Sequence, residues 1–161
     1  MLEARETVKD RRVLDLFAGT GALAIEALSR GAASAVCVEQ GPRECRAIRQ
    51  NAVRAGVADR LRVLAMPVAR AIPTLAQHQF DLVFMDPPYE DREAVPATIA
   101  MLLASDPLLS EGAMLVAEQS ARTPAPPAET GLRRLADRRY GDTLISLLTR
   151  QAETDPEGLP L

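Results

Sequence analysis

The first stretch whose residue types suit chemistry is a glycine turn at the end of an apolar run. Residues 13–17 are apolar except for one carboxylate, Asp15, and the chain then passes Gly19 and Gly21 before a helical pattern begins at Ala22. This order predicts a buried strand, a tight turn and a helix start. Glycines two apart allow positive φ and leave room for a ligand where a Cβ would block it. The turn therefore predicts a cradle for a nucleotide-like cofactor, although a tight turn without a ligand has the same pattern.

The second stretch is Asp86, Pro87, Pro88 and Tyr89, at the expected end of another apolar strand, residues 80–85. Ligands of an open parallel α/β sheet bind outside the carboxyl ends of its strands, so both stretches are expected to face one crevice. Consecutive prolines fix φ and carry no N–H, so the backbone presents carbonyl acceptors in a set geometry. A carboxylate, a rigid carbonyl and an aromatic ring together predict a site for a flat group with an amino nitrogen. A proline turn with a surface tyrosine is the alternative, which the nearby glycine turn disfavours.

The elements that must position these residues alternate between strands and helices. The predicted strands are residues 12–17, 33–39, 60–66, 80–85 and 113–118, and the predicted helices are residues 22–30, 42–55, 68–76 and 94–104. A proline-rich loop, residues 122–131, ends the alternation, and residues 132–140 and 143–150 then form a predicted hairpin. This pattern predicts an α/β sheet with an antiparallel pair at one edge. Residues 151–161 are predicted to be a disordered tail.

Two further side chains, Glu39 and His78, are of types that occur in functional sites. Glu39 closes the second predicted strand 18 residues after Gly21, near the position where a βαβ nucleotide fold places an acid that binds ribose hydroxyls. A solvated acid at a strand end is the alternative. His78 is the only histidine, and it lies in a polar loop with no partner for a triad or a metal site. We therefore predict that His78 is a surface residue and that the protein holds no metal.

Size and composition predict one reduced, cytoplasmic domain. The 161 residues fit a single domain of about 100–200 residues. Cys37 and Cys45 are too few for a disulfide framework, so both are predicted to be packing residues. No apolar run reaches the roughly 20 residues of a membrane span, and the N-terminus has no signal-peptide pattern.

The charge pattern argues against a protein that coats nucleic acid by charge alone, because the net charge is −3. All basic residues except Lys9 are arginines, which are the better phosphate ligands. They cluster at residues 11–12, between residues 43 and 54, and at residues 133–134 and 138–139. Each cluster is a candidate phosphate contact, and a solvated helix face is the default interpretation of the middle one.

At the level of whole motifs, the sequence resembles a class I S-adenosylmethionine-dependent methyltransferase. Residues 15–21 resemble the cofactor loop of that class, and residues 86–89 resemble the signature of enzymes that methylate exocyclic amino groups of bases. More narrowly, residues 14–23 with residues 26–32 resemble the RsmD type, which makes N2-methylguanine in bacterial 16S ribosomal RNA. The likeness extends from residue 12 to residue 150.

This resemblance implies a fold and a set of roles. The expected fold is a Rossmann-like class I methyltransferase domain over residues 1–150, with a mostly parallel seven-stranded sheet and a C-terminal antiparallel hairpin. The expected partner is ribosomal RNA or the small ribosomal subunit, with no membrane. The implied roles are cofactor binding for Asp15, Phe17, Gly19, Gly21 and Glu39, catalysis for Asp86, Pro87 and Tyr89, and substrate binding for Pro88 and Tyr89.

Two departures from the family pattern qualify these roles. The family has a longer N-terminal segment that helps to cover the cofactor and contacts RNA, and residues 5–6 are at most a remnant of it. After the third strand the family tends to have a polar residue near the adenine, whereas residues 65–68 are apolar here. We therefore expect packing and backbone groups to hold the adenine.

Three other functions fit parts of the sequence. A nicotinamide-dependent oxidoreductase fits the glycine spacing loosely but leaves Asp86 to Tyr89 without a role. A DNA adenine or cytosine amino-methyltransferase shares that motif but usually needs a separate target-recognition region. A module that binds the cofactor or RNA without turnover is the third alternative.

Overall fold

The computed structural model describes residues 8–105, 107–126 and 131–152. Seven strands form one sheet: β1 Arg12–Leu16, β2 Ser34–Glu39, β3 Leu61–Ala65, β4 Phe80–Met85, β5 Leu109–Ser120, β6 Leu132–Tyr140 and β7 Thr143–Arg150. Within the described ranges, the helices that cover it are α1 Ala22–Ser29, α2 Pro42–Arg54, α3 Val68–Thr74 and α4 Ala94–Ala104, with a 3₁₀ turn at Ala58–Arg60. The strand order across the sheet is β3-β2-β1-β4-β5-β7-β6.

Pairing within this sheet is parallel up to β5 and antiparallel beyond it. β1 pairs in parallel with β2 and β4, β2 with β3, and β4 with β5. β7 then runs antiparallel to both β5 and β6. The predicted fold, a mostly parallel sheet with a hairpin at one edge, is confirmed.

Two hydrophobic layers lie on opposite faces of the sheet. Because successive side chains of a strand point to opposite faces, Val83 and Met85 pack in the layer of α3 and α4, whereas Leu82 and Phe84 pack in that of α1 and α2. A strand that is buried on both faces has a nearly continuous apolar sequence. This burial explains why the strands that carry the site were recognisable as apolar runs.

Both cysteines have the packing role predicted for them. Cys37 lies in β2 and Cys45 in α2, and each is buried with a free thiol. Burial raises the pKa of both thiols, so they stay protonated and contribute apolar packing.

Several element boundaries differ from those predicted, most of them by one or two residues, and three of these differences mark a feature of the chain. β5 begins at Leu109 and not at residue 113, because a bulge near Gly112, whose φ is +78°, lets the chain keep pairing with β4. α3 ends at Thr74, one residue after Pro73 and two residues earlier than predicted. Phe17 has a φ of +60° and has therefore left the strand.

An ion pair closes the amino-terminal edge of the sheet between β1 and β4. The guanidinium of Arg12 donates to Asp81 from Nε and from Nη2, each at 3.0 Å, and the Arg12 backbone N–H donates at 2.8 Å. The hydroxyl of Ser110 adds a fourth bond at 2.7 Å. These donors hold the pKa of the Asp81 carboxyl well below its usual range.

Some predictions fall outside the part of the chain that is described. Of the predicted tail, only residues 151 and 152 belong to the described ranges, and residues 5–6 lie outside them. None of the described helices has the length and apolar character to cross a membrane.

Candidate active site

The carboxyl ends of three neighbouring strands meet at one edge of the sheet. Leu16 of β1 is level with Val38 of β2 and with Met85 of β4. The residues that follow these positions, Phe17, Glu39 and Asp86, therefore emerge side by side. The structure thus brings the two chemically suggestive stretches to one crevice.

The two glycines of the turn have different surroundings. Gly19 and Gly21 both have positive φ, +59° and +78°. A Cβ added to Gly19 would meet no atom within 4 Å and would project into open space, whereas one on Gly21 would lie 3.0 Å from the Ile48 side chain. Gly19 therefore keeps a cavity open beside the main chain, and Gly21 allows close packing against α2.

Phe17 is held in a conformation that aromatic residues rarely adopt. Its φ of +60° lies in the left-handed region, which costs a non-glycine residue roughly 1–3 kcal/mol. Such strain persists only where the surrounding structure enforces it, and it clusters at functional sites. The backbone geometry singles out Phe17 as the junction between β1 and the glycine turn.

Glu39 ties the two neighbouring loops together. Its Oε1 accepts a hydrogen bond from the Gly19 N–H at 2.9 Å, and its Oε2 accepts one from the Gly41 N–H at 2.8 Å. A carboxylate has about four lone-pair sites, so both oxygens retain capacity for another donor. Glu39 is thus a rigid acceptor at the end of β2.

Two cavities open at this edge and share two residues. The larger, of about 560 Å³, has mainly apolar walls from β2, the start of α3 and the face of α4, including Val38, Met66, Pro67, Val68 and Met101. The smaller, of about 310 Å³, lies against the glycine turn and is lined by Asp15, Ala18, Gly19, Thr20, Ala22 and Leu23. Phe17 and Asp86 line both cavities.

Two acids, Asp15 and Asp86, line the smaller cavity, and Glu39 lies beside the glycine turn. Asp15 is 1% exposed and accepts a hydrogen bond from the Ala24 N–H at 3.3 Å. Burial raises the pKa of Asp15 to about 8, and the charges of Asp86 and Glu39 add to that rise. No arginine or lysine of the described residues forms an ion pair with these three acids. The cavity therefore favours a ligand with positive charge.

Asp86 has no donor among the described residues, although it opens on both cavities. Asp86 is an exposed residue, but partial desolvation of its carboxyl raises the pKa to about 6, and the nearby charge of Glu118 on β5 contributes. Perturbed acids in a cleft are candidates for function. Pro87 is buried and Pro88 is exposed, so the diproline fixes the direction in which the backbone leaves β4.

A hydrogen bond joins the Tyr89 side chain to the C-terminal hairpin. That side chain is 44% exposed, and its hydroxyl shares a 2.5 Å hydrogen bond with the Thr143 hydroxyl. Thr143 is the first residue of β7 and lies opposite Ser120 of β5. Sequence reasoning missed Thr143, because only the register of the hairpin reveals that it reaches the site.

Sequence reasoning also missed the wall that α4 contributes to the larger cavity, where Ala97, Thr98 and Met101 lie. The signal that could have found it is the position of α4, directly after Tyr89. His78 is exposed, as predicted, and its ring stacks on Phe80 with centroids 6.2 Å apart. Among the described residues, no group of three or more His, Cys, Asp or Glu side chains is placed to hold a metal ion.

Comparison with known proteins identifies the family. A family model described as "Conserved hypothetical protein 95" matches residues 1–149. The chain belongs to this family. It is 30% identical over 154 residues to ribosomal RNA small subunit methyltransferase D of Escherichia coli (strain K12), a match that covers 93% of this chain and 74% of that protein.

Solved structures agree with this assignment. A conserved hypothetical protein from Streptococcus pyogenes has 40% sequence identity and a TM-score of 0.81, with 89% of this chain and 88% of that chain covered. An RNA methyltransferase from Salinibacter ruber, solved with S-adenosyl-L-homocysteine, has 20% identity and a TM-score of 0.66, with 94% and 88% covered, and shares the fold. The predicted RsmD-type family and class I methyltransferase fold are confirmed, and S-adenosylmethionine is supported as the cofactor.

Proposed function

We propose that this protein transfers a methyl group from S-adenosylmethionine to the exocyclic N2 amino group of a guanine in small-subunit (16S) ribosomal RNA, in the cytoplasm. The observation that carries the proposal is Asp86, whose carboxylate lines both cavities and accepts no hydrogen bond from the described residues. The rigid Pro87-Pro88 pair and the half-exposed ring of Tyr89 follow it directly. Residues 1–150 would form the catalytic domain.

The two cavities fit the parts of S-adenosylmethionine. The apolar walls at Met66, Pro67 and Val68 suit an adenine held by packing. Glu39 lies at the rim of this cavity with lone pairs available for ribose hydroxyls. The open space beside Gly19 and the carboxyl of Asp15 suit the cationic amino-acid portion. When bound, this cofactor supplies a methyl group made electrophilic by its sulfonium sulfur.

Asp86 and Pro87 would prepare the accepting nitrogen. The lone pair of an exocyclic amino group is delocalised into the base, which makes the nitrogen a weak nucleophile. If the Asp86 carboxylate and the Pro87 carbonyl accept its two N–H groups, the nitrogen is held close to tetrahedral geometry. The carboxylate also stabilises the positive charge that develops on nitrogen during transfer, and fixed alignment supplies a further part of the rate.

Tyr89 would support the base itself. Enzymes that act on a base must take it out of its stack, and aromatic side chains commonly bind bases by stacking. The hydrogen bond to Thr143 restricts the rotation of the Tyr89 ring. Exposed Pro88 is the second surface against which the base would pack.

Support for the RNA substrate comes from the relatives. The Escherichia coli relative is named for the RNA of the small ribosomal subunit. The choice of guanine N2 depends on two resemblances. Residues 86–89 resemble the signature of enzymes that methylate exocyclic amino groups of bases, and residues 14–23 with residues 26–32 resemble the RsmD type.

The test is transfer of labelled methyl from S-adenosylmethionine to undermethylated small subunits, naked 16S RNA and duplex DNA in parallel. The product is digested to nucleosides, and we expect label in N2-methylguanosine from RNA or subunits. Label in methyladenine or methylcytosine of DNA would instead assign a DNA amino-methyltransferase. Absence of label in every sample, with cofactor binding measured by calorimetry, would identify a binding module without turnover.

A further inference from the structure

Four exposed residues lie at or beside the tip of the C-terminal hairpin: Arg122, Arg138, Arg139 and Tyr140. We call these four residues the tip surface. Arg138 and Tyr140 share one face of β6, and Arg139 points to the other. Tyr140 is 59% exposed, which is high for a large aromatic side chain. β6 is the edge strand of the sheet, so this surface faces outward.

Two hydrogen bonds hold the proline loop against the hairpin turn. The Ala121 N–H donates to the Asp142 carbonyl at 2.8 Å, and the Arg139 guanidinium donates to the Ala121 carbonyl at 3.2 Å. Arg122 therefore lies beside the tip although it belongs to a different segment. The tip surface therefore combines residues from two chain segments that hydrogen bonds hold together.

The tip surface is linked through Thr143 to Tyr89, which belongs to the proposed site for the substrate base. Tyr140 lies opposite Thr143, whose hydroxyl is bonded to the Tyr89 hydroxyl. The two tyrosines thus flank one threonine.

Strand register gives the distance from the basic side chains to the acceptor carboxylate. Arg138 is opposite Ile145, and Ile145 is opposite Glu118. Asp86 lies beside Glu118, because Met85 and Ala117, which precede them, are paired. Three strand spacings of about 4.8 Å put the backbones of Arg138 and Asp86 roughly 14 Å apart. We expect nucleotides that flank a target base bound at Asp86 to reach this distance.

The charge of the tip surface is not neutralised locally. The side chains of Arg122 and Arg138 form no ion pair or hydrogen bond within the described residues. Arg134, in contrast, is paired with Asp137 at 2.6 Å. Asp142 is the only carboxylate in the turn itself. A protein with a net charge of −3 thus places uncompensated guanidinium groups next to its acceptor site.

We propose that the tip surface binds the RNA strand that flanks the target nucleotide. This inference rests on the proposed function. Guanidinium groups bind phosphate oxygens through paired N–H donors, and an exposed aromatic ring among them stacks on a base without sequence preference. Arg122 and Arg138 bind backbone phosphates, and Tyr140 stacks on a neighbouring base.

The test compares an Arg122→Ala/Arg138→Ala variant with a control, Arg54→Ala/Arg62→Ala. The control removes the same charge from exposed positions, one of which lies on β3 at the opposite edge of the sheet. Methyl transfer gives kcat and KM for RNA and for subunits, and a filter-binding titration at several salt concentrations gives RNA affinity without turnover. Calorimetry with S-adenosyl-L-homocysteine checks that each variant is folded.

We expect the tip variant to raise KM and Kd for RNA about tenfold, with kcat within about twofold of wild type. The slope of log affinity against log salt should fall by about 1.4, since each phosphate contact on single-stranded RNA contributes about 0.7. Tyr140→Ala should weaken binding without changing this slope, and Tyr140→Phe should bind as wild type does.

Three results would overturn the proposal: a KM and Kd within twofold of wild type for the tip variant, an equal loss in the control, or a loss seen with subunits and not with naked RNA. The last would assign the surface to a ribosomal protein. Wild-type protein that binds RNA but methylates none would refute the proposed function, while the binding titration would still test the tip surface.

Discussion

Asp81 and Asp86 lie at opposite ends of β4, and their surroundings differ completely. Asp81 accepts four hydrogen bonds, three from Arg12 and one from Ser110. Asp86 accepts none from the described residues, and its pKa is raised to about 6 while that of Asp81 is lowered. The Asp81 carboxylate at one end of β4 is thus hydrogen-bonded by protein donors, whereas the Asp86 carboxylate at the other end has none among the described residues.

This difference supports a structural role for Asp81 and the functional role proposed for Asp86. Polar groups that serve the fold are normally satisfied by the fold. Asp86 is exposed, so water can donate to its carboxylate, but its raised pKa shows that the surroundings disfavour the charged form, and the fold gains nothing from that charge. Asp86 opens on two cavities that are large enough for a ligand. We infer that its donors come from the ligands that it binds.

The largest effect that follows concerns Asp86 itself. Replacement of Asp86 by Ala removes the group proposed to accept the substrate amino N–H and to stabilise developing charge. We expect kcat for methyl transfer to fall about 10²- to 10³-fold, as when one electrostatic group is removed elsewhere. Asp86→Asn should lie between wild type and Asp86→Ala, because it keeps an acceptor oxygen and loses the charge. Single-turnover assays on 16S RNA or subunits would measure both.

Asp81→Asn is the matched control for these variants, because it makes the same chemical change on the same strand. Its kcat should remain within about twofold of wild type at a temperature where both proteins are folded. Equal losses of kcat in the Asp81 and Asp86 variants would contradict the distinction between the two ends.

The second effect is on stability, where we expect replacement of Asp81 to matter more than replacement of Asp86. Asp81→Asn leaves the Arg12 guanidinium without its ion pair, and because Arg12 is largely exposed we expect a loss of only about 1–2 kcal/mol. That corresponds to roughly 3–6 °C in Tm for a chain of this length. Asp86→Asn should leave Tm unchanged or raise it.

Thermal unfolding across a pH series would sharpen this second comparison. Because the pKa of Asp81 is lowered on folding, its contribution is present above its ordinary value of 3.8 and is lost as the pH falls below that value. The Tm values of wild type and Asp81→Asn should therefore converge in acid. A constant difference down to the lowest pH would show that the ionised pair is not the source of the stability.

Much of this arrangement was readable from local sequence. Apolar runs predicted the parallel strands because those strands are buried on both faces. The glycine turn and the diproline were recognisable because each restricts the backbone in a way that few residues allow. Their meeting at one edge followed from the parallel topology. The hairpin was predicted from Gly141-Asp142 between two segments of strand character, and register confirms it.

The remainder depends on contacts between distant segments. The bond between Tyr89 and Thr143 spans 54 positions and is visible only once the hairpin register is known. The two uses of Glu39, toward Gly19 and Gly41, require the folded loops. β5 continues across Gly112 because pairing with β4 overrides the turn tendency of that segment. The functional roles of the site residues stay predictions, because they concern ligands.

The smallest of the three effects is on the pH dependence of kcat/KM, which should again differ between the Asp81 and Asp86 variants. Asp86 must be ionised to stabilise the positive charge that develops on the amino nitrogen, and partial desolvation raises its pKa to about 6 in the free protein. We expect kcat/KM to rise with pH through about 6 and then level off, since this ratio reports the ionisations of the free enzyme. Asp81→Asn should keep that rise, because Asp81 is already ionised throughout the range. Asp86→Asn should remove it, leaving a low and nearly flat profile between pH 5 and about 7.5. An unchanged rise in the Asp86 variant would assign the ionisation to another group, and Asp15, whose pKa is raised to about 8, would be the next residue to replace.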